Sequence, residues 1–353
     1  MFKKVLFIII FIFTNHLFSQ AIEVVSGLSR PVGIAINGED IFICELADGG
    51  SSGMISKADL SVINPTKENL LTNQANPRAV CLVGEELYYA TNNLFKLNIN
   101  DSNPTGTQVI YTNSPRALIA TDDDMFISGD DRISKINLNS TNPYLQLVVD
   151  NIEARILAFA LKGDELYFGY SNKVSKINIT DANPVVEEVI SGFESNVYSL
   201  AFYEDTLIVG LALYYKLLTV DINASTLVAQ EFIPFMNGQP MNIMVYNNDL
   251  YIAGGQGNNI LKVENLEALL GIEEIKSNLN LKIYPNPTSD YIQISGLLKS
   301  IPYEIYKTNG VLVIDGVLEP KSRIDLRNLS SGIYYINLKD GLEKETCIKV
   351  IKH

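Results

Sequence analysis

PVGIAINGEDIFIC, residues 31–44, is the first of six segments that align without a gap over 14 positions. The others are PRAVCLVGEELYYA (77–90), PRALIATDDDMFIS (115–128), ILAFALKGDELYFG (156–169), VYSLAFYEDTLIVG (197–210) and PMNIMVYNNDLYIA (240–253). Their starts lie 46, 38, 41, 41 and 43 residues apart, a period that belongs to solenoids and propellers. Each segment reads as an apolar strand, a tight turn rich in Gly, Asp, Glu and Asn, and a second strand of β-branched and aromatic residues, which is a hairpin. A third strand follows at ISKADL, LFKLNI, ISKINL, VSKINI, LLTVDI and ILKVEN. Several units then turn through an Asn-Pro pair, at Asn64, Asn103, Asn142 and Asn183, before a fourth strand such as LQLVVDN (145–151). Four antiparallel strands in roughly 40 residues make one propeller blade.

The phase of the repeat carries a second expectation. After Lys262 the sixth unit runs into NLEALLGIEEIKSN and has no fourth strand of its own. Residues 21–28, AIEVVSGL, resemble the fourth-strand segment EEVISGF (187–193) and precede the first hairpin with nothing else to pair with. The start of the repeat region is therefore expected to complete the last blade and to remove the open sheet edges of an unclosed array.

From Leu279 the pattern changes to LNLKIYPNPTSDYIQISG, YEIYKTNGVLVIDG, IDLRNLSSGIYYINLKDG and ETCIKVIKH. These alternating strands, divided by Pro, Asn and Gly turns, predict a small antiparallel β-sandwich over 279–353. The fold class expected is all-β: a six-bladed β-propeller over 21–264, a linker over 265–278 and the sandwich. The propeller resembles the NHL and TolB-like kind and the broad lactonase-like superfamily; the Trp-Asp signature of another propeller class is absent, because the chain has no tryptophan.

The C-terminal segment closely resembles the type A sorting domain of the type IX secretion system of Bacteroidota. The motif residues are Tyr284, Pro285, Asn286 and Pro287, the stretch 306–310 ending in Gly310, LSSGIY with Gly332, and the last strand around Lys349. The resemblance implies that the secretion machinery is a partner and that the domain directs passage across the outer membrane. Cleavage of the domain is implied as well, followed by release or attachment at the cell surface.

At the other end, Lys3 and Lys4 precede the apolar run 5–13, too short for a membrane span and of the length of a signal-peptide h-region. Residues 1–20 are read as a signal peptide, with cleavage after Ser19 or Gln20. No later segment is apolar enough to span a bilayer. Loss of the two lysines takes the net charge from −13 to about −15. That surface repels phosphate backbones, so nucleic acid is not an expected partner.

The chain's two histidines are His16 and His353, so the repeat region has none. A histidine-based triad and the usual zinc sites are excluded there. Cys44 and Cys81 occupy small or apolar columns of the alignment and read as buried thiols, and with Cys347 they form no spaced metal or redox pair. Acidic pairs such as Glu39-Asp40, Glu85-Glu86 and Asp164-Glu165 all fall in the hairpin turn. Turn chemistry accounts for them as a ring of solvated charge.

The column opening the innermost strand is more informative: Val32, Arg78, Arg116, Leu157, Tyr198 and Met241. It lies at the expected mouth of the central channel, where ligand sites form. Arg78, Arg116 and Tyr198 are the candidate ligand-binding residues, the two guanidiniums being suited to an anionic or carbonyl group. Glu45, Asp48, Asp130 and Asn259, in or beside loops of the same face, are weak candidates for calcium. No calcium-loop spacing supports them, and no cofactor is expected. Two readings of function follow. One is a secreted or cell-surface protein that binds a glycan, peptide or surface partner through its channel face, or that serves a purely structural or adhesive role there. The alternative is a divalent-metal-dependent lactonase-like hydrolase, which requires acids on inner strands; the inner columns are apolar, small or arginine.

Overall fold

The computed structural model describes residues 21–46, 52–234, 236–270, 282–295, 300–307, 311–320, 322–339 and 345–353. The signal-peptide segment, Asp48, Gly310 and most of the expected linker lie outside these residues. The chain divides into two compact units, residues 1–270 and 271–353.

Among the described residues of the first unit, the strands form six four-stranded antiparallel sheets. The first runs Pro31–Asn37, Asp40–Glu45, Gly53–Asp59, Glu68–Gln74, in the order expected of a blade. The innermost strands of the other five are Ala79–Val83, Leu118–Ala120, Ile156–Lys162, Val197–Tyr203 and Asn242–Tyr246. Each touches its neighbour in sequence order, and Pro31–Asn37 touches both Ala79–Val83 and Asn242–Tyr246, so the ring is closed. The unit is a β-propeller.

Closure comes from the start of the described chain, as its sequence suggested. Ile22–Val25 pairs antiparallel with Ile260–Val263, with Ile22 opposite Lys262 and Val25 opposite Ile260. The Asn259 side chain reinforces this by donating to Glu23 at 2.8 Å, across 236 positions of sequence.

Packing follows from the two-residue period of the strands, which sends alternate side chains to opposite faces of a blade. Ile41 and Ile43 pack against Tyr251, Ala253 and Ile260 of the sixth blade. Phe42 and Cys44 pack the other way, against Val80, Leu87 and Tyr89 of the second. The same sharing repeats around the ring, so the core is a set of apolar seams between blades. Blades approach closely at the small column that contains Cys44: a Cβ on Gly169 would meet Val197 Cγ1 of the next blade at 2.5 Å. Cys44 and Cys81 are free thiols. Burial raises both, Cys81 to about 12, so neither ionises at neutral pH.

Two sequence expectations need correction. The acids of the hairpin turns are not all solvated: in every blade but the fifth, the acid that starts the second strand meets a lysine on the third. The ion pairs are Lys57–Asp40, Lys96–Glu86, Lys135–Asp124, Lys176–Glu165 and Lys262–Asp249. In four of the five the ammonium also lies 5.8–6.0 Å from the centre of an aromatic ring, that of Tyr88, Phe126, Tyr167 or Tyr251, a favourable cation–π distance. Residues 265–270, read as the start of the linker, fall within the first compact unit and pack on its last two blades. Asn265 caps the short helix Leu266–Leu269 by accepting from the Ala268 N–H at 3.2 Å, and Leu266 is buried with Ile208 and Leu250.

The second unit contains a three-stranded sheet and a four-stranded sheet, ordered Lys282–Tyr284, Tyr291–Ser295, Arg323–Asp325 and Leu312–Leu318, Ile301–Lys307, Gly332–Lys339, Glu345–Lys352. Ile292, Ile294 and Ile324 of the first pack with Ile305, Tyr334, Ile336 and Val350 of the second. This is the antiparallel sandwich.

Candidate functional site

The structure gathers the whole column read from the sequence into one place. Val32, Arg78, Arg116, Leu157, Tyr198 and Met241, one from each of the six blades, line a single cavity of about 80 Å³, together with Arg30. A narrower space of about 30 Å³ shares Val32, Arg78, Arg116 and Leu157 and continues along the channel past Ala158, Leu200 and Asn242.

Backbone bonds fix the arginines. The Arg78 N–H donates to the Ala90 carbonyl at 2.8 Å. In the third blade the innermost strand begins only at Leu118, and the buried Ser128 hydroxyl takes over, accepting from the N–H groups of Arg116 and Ala117 at 2.8 Å each. Arg30 holds a left-handed φ of 52°, uncommon for a residue with a side chain. It is clamped on both sides: its N–H donates to Asn258 Oδ1 at 3.0 Å, and its carbonyl accepts from the Leu46 N–H at 3.1 Å.

Arg30, Arg78 and Arg116 have no carboxylate partner among the described residues. Arg116 Nε is buried and has no hydrogen-bond acceptor. Burial, and then repulsion by Arg78 and Arg155, lowers the Arg116 guanidinium to about 10; burial and Arg30 lower Arg78 in the same direction. Both remain charged at neutral pH. A fourth arginine, Arg155, stands nearby in an ion pair with Asp130. Five arginines occur in residues 21–270, and four of them gather here. The cationic residues of the lining come from the first three blades, while the last three contribute Leu157, Tyr198 and Met241.

The sequence missed Arg30 and Arg155. They share the column immediately before the aligned block, so extending the alignment by one residue would have found both.

Of the calcium candidates, the three that are described, Glu45, Asp130 and Asn259, are each engaged elsewhere. Glu45 is wholly buried; its carboxylate accepts from the Ser29 N–H at 2.6 Å, the Ser56 hydroxyl at 2.5 Å and the Lys67 ammonium at 2.7 Å. Asp130 is held by Arg155, and the Asn259 amide is turned to Glu23. Among the described residues no group of three or more acidic, cysteine or histidine side chains is placed to hold a metal ion.

In the second unit the YPNP motif clamps the last strand. Asn286 Nδ2 donates to the Lys349 carbonyl at 2.8 Å, and its Oδ1 accepts from the Ile351 N–H at 2.9 Å. The Thr288 N–H then donates to the Ile351 carbonyl at 2.9 Å. One asparagine thus offers the strand edge the donor and acceptor of a neighbouring strand. Tyr284 and Lys349 are exposed, and Gly332 opens the strand whose Tyr334 is buried and donates to the Ser330 carbonyl at 2.8 Å.

The chain is thus a β-propeller with a cationic channel mouth, followed by a sandwich whose last strand is clamped by an asparagine. The comparisons agree on the tail: residues 282–353 match the secretion system C-terminal sorting domain family. The second unit is such a sorting domain, which marks the chain for export to the cell surface or extracellular space. No curated protein matches the chain. Among solved structures, a gluconolactonase from Xanthomonas campestris is similar at 14% identity and a TM-score of 0.53, over 69% of this chain and 86% of that one. The PQQ-bound aldose sugar dehydrogenase of Streptomyces coelicolor follows at 11% identity and a TM-score of 0.50, over 69% and 96%. PorZ, a surface component of the type IX secretion system of Porphyromonas gingivalis, is similar at 13% identity and a TM-score of 0.46, over 91% of this chain and 59% of that one. At these identities the likeness to the two enzymes speaks to the fold alone. No helix among the described residues is long and apolar enough to cross a membrane.

Proposed function

We propose that this exported propeller is a binding protein that holds its ligand at the arginine-lined mouth of its channel. The observation that carries the reading is the convergence of one residue from every blade on a single cavity, with three guanidiniums that no described carboxylate neutralises. Unpaired, partly desolvated charge costs stability, and proteins retain such costs where a ligand later relieves them. The signal peptide over 1–20 and a Bacteroidota source belong to the same reading, as does final display of the propeller on the cell or its release.

The hydrolase alternative receives less support. A divalent cation needs oxygen ligands, and this mouth offers guanidiniums that repel it. Glu45, one of the candidate oxygen donors, already satisfies a lysine, a serine and a backbone N–H.

The test is a plug. Leu157→Trp fills the mouth from a half-buried position, and the full chain and this variant are compared on glycan, peptide and small-molecule arrays. The expected result is a ligand captured by the wild type and lost by the variant. Ligands captured equally by both would overturn the placement of the site at the mouth.

A further inference from the structure

The mouth is divided into two chemical halves. Arg30, Arg78 and Arg116 belong to the first three blades, whereas Leu157, Tyr198 and Met241 belong to the last three. Ring order sets these halves opposite one another across the cavity. One half attracts negative charge and offers the planar, forked donors that suit a carboxylate. The other half offers apolar surface and one aromatic ring.

Several features show that the cationic half is unsatisfied. Arg116 Nε is buried without an acceptor, although buried donors are nearly always paired. The strongest charges on the cluster are its own: Arg78 feels Arg30 and Arg155, and Arg116 feels Arg78 and Arg155 more than any acid. Asp130, the acid felt by Arg116, is already occupied by Arg155. The chain as a whole carries a net charge of −13, so a cationic cluster without counter-charge stands against its general composition. Cavity size sets the remaining limit. About 80 Å³ admits a charged head group and the first atoms behind it, with the body of a larger ligand left outside the mouth.

We infer that the mouth receives a carboxylate attached to an apolar body, head group against Arg78 and Arg116 and body against Leu157, Tyr198 and Met241. This rests on the binding reading above and names the class of ligand. The chemistry has two sources, a free organic acid and the terminal carboxylate of a peptide ending in an apolar residue. 3-Phenylpropionate represents the first and N-acetylphenylalanine the second.

Calorimetric titration of the full chain at constant ionic strength tests the inference, with acetate and 3-phenylpropionamide as controls. At least one aromatic acid is expected to bind saturably, at least tenfold more tightly than acetate or the amide, and the tighter of the two acids identifies the source. Arg78→Met and Arg116→Met should each weaken binding at least tenfold, whereas Arg132→Met, at an exposed arginine outside the cavity, should not change it.

A second measurement guards against misfolding. Without ligand, Arg116→Met is expected to melt higher than wild type, by about 2 °C, because it removes an unpaired buried donor and a repulsive charge. The inference is overturned if neither acid binds, if the amide binds as well as its acid, or if both methionine variants retain full affinity. It is also overturned if Arg116→Met melts lower, since that would make the arginine structural. A ligand found on the arrays that needs the open mouth yet is insensitive to Arg78→Met and Arg116→Met would remove this inference and leave the binding reading standing.

Discussion

Lys67 and Glu45 show how much a single buried charge depends on its surroundings. Glu45 has no exposed surface and the Lys67 side chain is 20% exposed, so this pair is screened far less than the lysine–acid pairs at the hairpin turns. Removing one partner of such a pair leaves the other charge buried and uncompensated, at a cost of about 3 kcal/mol. Lys67→Met is therefore expected to lower the urea midpoint clearly, and adding Glu45→Gln should recover much of the loss. If the double variant is no more stable than the single, the coupling assigned to the pair is absent. Neither role was legible beforehand. Glu45 stood in the sequence as an oxygen donor beside a Gly-rich loop, and nothing in local spacing shows that Lys67, 22 residues on, folds back to neutralise it. Arg78 and Arg116 were legible because the repeat itself sets them in one column. Arg30 was missed because it stands one position outside the aligned block, and its left-handed turn is revealed only by the folded chain.

The blade is the scale at which the sequence speaks most clearly. Strand alternation, turn composition and the recurring third-strand lysine all repeat with the same phase, so errors in one copy are corrected by the other five. The lysine, the acid and the ring change together: in the fifth blade Thr206, Ile208 and Thr219 take the three places, and no ion pair joins that hairpin to its third strand. What repetition does not convey is chemistry between strands, which is why the acids looked like solvated turn residues. The same logic exposes the sixth blade as dependent on a borrowed strand. Deleting residues 21–26 removes Ile22–Val25 and the buried Val25, leaving Ile260–Val263 as an open edge. The truncated protein is expected to aggregate and to unfold with reduced cooperativity, measured by light scattering and calorimetry. A monomeric variant that melts as the full chain does would show that the strand is dispensable.

Taken whole, the molecule joins a scaffold with a solvated, acidic exterior to a tail with its own core, and the two are specified by unrelated sequence patterns. The tail was recognisable from short motifs such as YPNP, whose asparagine secures the final strand. Removing residues 279–353 should leave the propeller inside a host that carries the type IX system, as followed by immunoblot of medium and cell fractions; equal amounts of the truncated protein in the medium would contradict the sorting role. The chemistry of the mouth stayed largely illegible because a cavity built from six separate repeats has no linear signature beyond its column. One last consequence concerns the borrowed strand. Ile22 pairs with Lys262, so a chain emerging N-terminus first holds its opening segment without a partner until nearly the whole propeller has followed. The joint works as a latch that is set only once Ile260–Val263 has followed, and a product terminated before that strand is left with an unclosed ring and open sheet edges.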